Sequence, residues 1–155
     1  MYATALSIHN VLRIAVVVIC LWAFFRALTG WLGHRTWGHM DRMSTLLLVI
    51  LVDLQLVLGL LLYFVWSPLT QTAMHDMSAA MKDAPVRKMA VEHPVMMIAA
   101  IALVHAARVM ARNSSKDSVR HRRTAICLAV ALTLFLVGTG WPWQLYPRPW
   151  LRFDF

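Results

Sequence analysis

The chain has 155 residues, enough for one domain, of which 60% are hydrophobic and only 14% charged, with a mean hydropathy of +0.63. That balance excludes an ordinary water-soluble domain and points to the lipid bilayer. The formal charge of +8 does not call for nucleic acid, because the interleaved aromatics of such a surface do not accompany it and anionic lipid headgroups account for it.

Four windows approach the ~20 apolar residues that a helix needs to cross a hydrocarbon core. The first, about 5–28, is apolar apart from His9, Asn10, Arg13 and Arg26. It lacks a basic n-region and a small-residue cleavage site, so a retained helix is expected rather than a signal peptide. The second, about 44–66, is broken only by Asp53 and Gln55. The third, about 90–110, enters through Glu92, His93 and Pro94 and carries His105 near its exit. Proline favours the first helical turn, so His93 stands either at a surface cap or just inside the span. The fourth, about 124–143, has no charge and runs into GWPWQLYPRPW, Gly140 to Trp150. Its prolines stop a helix and its aromatic rings suit the headgroup zone. The expected fold is all-α: a single domain over 1–155, an integral membrane four-helix bundle of up-down topology.

Arginine and lysine orient the chain. Arg26, Arg35 and Arg42 flank the first connection, and Arg108, Arg112, Lys116, Arg120, Arg122 and Arg123 crowd the third. The positive-inside rule puts those two connections in the cytoplasm and both termini on the outer, periplasmic side of a bacterial inner membrane. Trp22, Trp31 and Trp37 then read as anchors at the inner boundary, and Tyr63 and Trp66 as anchors at the outer one. Cys20 and Cys127 fall inside spans, and there is no CxxC or CxxCH, which excludes covalently attached haem. No phosphate-cradling glycine loop, nucleophile elbow or HExxH occurs.

Charges within spans are costly and call for partners. Arg13 lies ~13 Å below the outer surface and Asp53 about 20 Å below it, at 1.5 Å per residue. An Arg13–Asp53 pair is therefore expected, with Arg13 facing the carboxylates of a cofactor, or Asp53 relaying protons, as the functional alternatives.

His9 and His93 begin the first and third helices and so share a depth on co-directional helices, the arrangement that a bis-histidine b-haem requires. Structural hydrogen bonding is the competing explanation for the same pair. Met96 and Met97 read as packing or as walls of a cofactor pocket. His34, His39 and His121 fall in basic connections, where a solvated role is expected. A different chemistry is offered by TAMHDMSAAMKD, whose Met74, His75 and Met77 are soft enough for Cu(I); Met77 and Met81, four apart, fit equally the apolar face of a short interfacial helix.

IHNVLR at Ile8–Arg13, DLQLVLGLLLYF at Asp53–Phe64 and VEHPVMM at Val91–Met97 resemble segments of a group of small bacterial four-helix membrane proteins of the cytochrome b-like type. The likeness implies His9 and His93 as haem ligands, with Arg13 and Gln55 as pocket neighbours. In architecture the chain is also similar to b561-type cytochromes. Those carry further ligand histidines, which the second and fourth helices here lack, so one haem is the limit. The expectation is thus an electron-transfer protein with one haem b near the periplasmic side. It would exchange electrons with quinol or quinone and a periplasmic partner, as a subunit of a larger respiratory or photosynthetic complex. The contrasting expectation is a cofactor-free accessory subunit whose polar residues serve helix association.

Overall fold

The computed structural model describes residues 1–139. Among them there is no β-strand, and four helical runs are long and apolar enough to cross a membrane: Tyr2–Leu32, His39–Trp66, Ala84–Arg112 and Asp117–Gly138. The elements in order are α1 (Tyr2–Leu32), α2 (His39–Leu61), α3 (Pro68–His75), α4 (Met77–Lys82), α5 (Ala84–Arg87), α6 (His93–Arg112) and α7 (Asp117–Gly138). Wide π-type turns continue α2 over Leu62–Trp66 and lead into α6 over Lys88–Glu92. The motif at Gly140–Trp150 and the last residues of the expected fourth span lie outside the described residues.

α1 packs against α2 and α7, and α6 packs against α7 and α2. The seam is built largely from small side chains: Cys20, Ala23, Ala100, Ala107 and Ala131 are buried beside Val16, Leu48, Val52, Leu128 and Phe135. Lipid tails are as apolar as leucine, so helices in a membrane gain contact by close approach of small residues. The large apolar residues accordingly point outward, with Val18, Phe25, Leu54, Val57, Ile98 and Val109 about half exposed.

The end of α1 explains how a distant arginine is brought back over the helix. Gly33 N–H donates to the Thr29 carbonyl, and Arg35 N–H donates to the Gly30 carbonyl five residues back. His34 between them takes φ 51, the left-handed position of a Schellman cap, which histidine tolerates better than most non-glycine residues. At the opposite end a proline sets the geometry. Pro94 has no N–H for the Ala90 carbonyl, and the Tyr63 hydroxyl donates to that carbonyl instead at 2.8 Å. The Tyr63 carbonyl in turn accepts from Thr70 Oγ1 at 2.6 Å. The two π-type turns are thereby tied together across the helices. Beyond them α3, α4 and α5 are capped by the side chains of Ser67, Asp76 and Asp83 and bury Ala73, Ala80 and Ala90 in a small second core.

His93 is not a surface cap. The helical run begins at Ala84, so His93 sits about two turns inside it.

Candidate functional site

The start of α1, the end of α2 and the start of α6 surround a cavity of about 460 Å³. Its polar lining is His9, Arg13, Gln55, Tyr63, His93 and Thr139, and the rest is apolar, including Val52, Leu56, Phe64, Met97, Ile101 and Phe135. Five expected residues, His9, His93, Arg13, Gln55 and Met97, therefore line one space. The volume is that of a small-molecule or cofactor site.

Each histidine is positioned by a distinct device. His93 Nδ1 lies 2.9 Å from the Gly138 carbonyl on α7. A carbonyl only accepts, so this nitrogen carries the proton and Nε2 carries the ring's lone pair; metal-binding imidazoles are commonly oriented in this way. Gly138 is itself required, because a Cβ there would stand 2.7 Å from the Met97 methyl and 2.9 Å from Met96 Cβ. His9 stands against Gly59, where a Cβ would lie 3.4 Å from its Cε1. The backbone of His9 is held from α2, since Gln55 Nε2 donates to its carbonyl at 3.0 Å. Gln55 Oε1 is buried with no hydrogen-bond partner among the described residues. Glu92 does not serve His93; it accepts from Arg87 Nε at 2.9 Å.

The two imidazole centroids are 6.4 Å apart with their planes at 72°. Metal–imidazole bonds of about 2.0–2.1 Å in line, plus about 1.1 Å from nitrogen to ring centre on each side, give about 6.3 Å. The spacing therefore suits one shared metal ion. Arg13, 8% exposed, lines the same cavity and brings the positive charge that a carboxylate-bearing group would need.

Asp53 departs from expectation. Its Oδ1 accepts from His105 Nε2 on α6 at 2.8 Å, so its carboxylate is engaged by His105 and not by Arg13 as expected. Both side chains are about half exposed, 49% and 45%, on the outside of the helix set, whereas Arg13 faces the cavity. Depth alone had paired Asp53 with Arg13; helix face decides otherwise. Of the soft trio, Met74 and His75 end α3 and are exposed, Met77 begins α4 beyond Asp76, and Met77 alone lines the histidine cavity. Among the described residues no group of three or more His, Cys, Asp or Glu side chains gathers to hold a metal ion.

A second polar cluster occupies the other end, and the sequence reading missed it. Asp41, 2% exposed, accepts from Arg26 Nε at 3.0 Å, from both Nη atoms of Arg35 at 2.9 Å and from Gly38 N–H at 2.9 Å. The signal was an acid three residues after Gly38 at a helix start, half of a capping box. His121, expected to be solvated, is fully buried. Its ring packs against Trp37 at a tilt of 57°, with centroids 4.8 Å apart, and covers Gly30, where a Cβ would fall 2.3 Å from His121 Cε1. Trp37, 8% exposed, is thus a packing residue and not an interfacial anchor.

No known family model matches the chain, and no curated protein or solved structure shows a significant likeness to it.

Proposed function

We propose that this multi-pass membrane protein holds one b-type haem between His9 and His93 and serves electron transfer. The observation that carries the reading is the 6.4 Å separation of the two imidazoles at a largely apolar cavity of about 460 Å³. A haem, when bound, supplies one-electron chemistry. The chain's own residues do the rest. His93, fixed in its Nδ1–H form by the Gly138 carbonyl, presents the Nε2 lone pair that ligation uses. Arg13 supplies charge for a propionate, Gln55 offers an acceptor, and the apolar walls keep water from the metal.

The finer arrangement belongs to the same proposal. The helices form an up-down bundle in a bacterial inner membrane, with both termini and the histidine cavity at the periplasmic side and the arginine-rich connections in the cytoplasm. A single haem at one side needs a partner to move electrons further, which suits a subunit of a larger assembly exchanging electrons with quinol or a periplasmic protein.

The test is a reduced-minus-oxidised visible spectrum of the purified full chain. The expected result is a sharp α-band that disappears in His9→Ala and in His93→Ala. Absence of a Soret band from wild type expressed with ample haem overturns the proposal.

A further inference from the structure

A second cavity, about 230 Å³, lies at the Asp41 end between the start of α2, the end of α6 and the start of α7. It is lined by Arg42, Arg108, Arg112 and Arg120 together with Trp37, Thr45 and Ala111, so four arginines border one small space with no acidic residue in its lining among the described residues. Their partners are unequal. Arg120 is answered by Asp117 at 3.0 Å. Among the described residues Arg108 donates to neutral acceptors, the Arg42 carbonyl at 3.1 Å and Thr45 Oγ1 at 3.2 Å. Among the described residues no carboxylate meets Arg42, Arg108 or Arg112. The nearby buried acid, Asp41, is already saturated by Arg26, Arg35 and the Gly38 N–H. Like charges gathered at one cavity repel one another less when an anion sits among them, and planar guanidiniums match phosphate oxygens two at a time.

We propose that this arginine-lined cavity is a binding site for a phosphate group. Two sources share that chemistry: the phosphodiester of an acidic phospholipid headgroup, and free inorganic phosphate. The site stands apart from the histidine cavity and does not depend on a haem.

The test uses the full chain in nanodiscs of phosphatidylcholine, with and without phosphatidylglycerol. Lipid retained on the purified protein is counted by native mass spectrometry. In parallel, thermal stabilisation by inorganic phosphate is compared with chloride at equal ionic strength. The variant Arg42→Gln/Arg112→Gln removes two lining arginines that hold no carboxylate. The control Arg122→Gln/Arg123→Gln removes the same charge outside the cavity. Each arginine near a headgroup is worth about fivefold in affinity. Preferential retention of phosphatidylglycerol by wild type, cut about 25-fold in the cavity variant and kept in the control, supports the site with lipid as its source. Saturable stabilisation by phosphate, lost in the cavity variant alone and without any lipid preference, supports it with the free ion as source. Indifference of wild type to both probes, or equal loss in the control, overturns the proposal. Unchanged melting of both variants in pure phosphatidylcholine shows that the fold is intact.

Discussion

At the Asp41 end one carboxylate is met by two guanidiniums and a backbone N–H, and His121 is pressed between Trp37 and Gly30. At the His9 end, by contrast, two histidines, an arginine and a glutamine stand around a cavity of about 460 Å³. The contacts of Asp41 and His121 fill their own space with the protein's own groups, as a structural lock does, and the arginine-lined cavity lies beside them. The His9 end reserves space. Both ends use glycine to admit an imidazole, but with different tolerance: a Cβ at Gly30 would collide with His121 at 2.3 Å, whereas one at Gly59 would reach only ordinary contact with His9 at 3.4 Å.

Changes to the Asp41 and His121 contacts therefore act mainly on stability. The largest effect is expected for Asp41→Ala, which strands Arg26, Arg35 and the Gly38 N–H; breaking a buried pair from one side costs about 3 kcal/mol or more, read as a lowered unfolding midpoint in detergent. Gly30→Ala should cost about 1–3 kcal/mol by overpacking, and adding His121→Ala should recover part of that loss in the same assay. Tyr63→Phe removes the hydrogen bond that replaces the one Pro94 cannot make to Ala90. Its cost is about 0.6–1 kcal/mol, the usual worth of such a bond in water or membrane. Gly59→Ala, the counterpart of Gly30→Ala, should stay within about 0.5 kcal/mol of wild type. A loss at Gly59 as large as that at Gly30 would erase the distinction between the two ends.

The spans were legible in the sequence because lipid solvation imposes composition directly. That His9 and His93 meet at one cavity followed from counting depth along helices of known rise, whereas Arg13 and Gln55 were expected beside them only from the likeness of their motifs. Helix face was harder to read. Asp53 was matched by depth to Arg13 when rotation turns it toward His105, and the buried spacing of His121, Thr124, Ala125 and Leu128 was hidden by the exposed arginines beside it. The continuation of the third helical run upstream of Pro94 was equally obscured. A proline looks like a helix start, and only the Tyr63 hydroxyl, 27 residues away from Ala90 in sequence, makes the continuous run intelligible.

The central claim is that His9 and His93 together hold one haem. The ratio of haem to polypeptide in the purified full chain, by pyridine haemochrome assay against amino-acid analysis, tests it most directly. The account predicts one non-covalent b-haem per wild-type chain and none after replacing either histidine by alanine, with the unfolding midpoint of the protein prepared without haem little changed. A full complement of haem in the His9→Ala/His93→Ala double variant would contradict it.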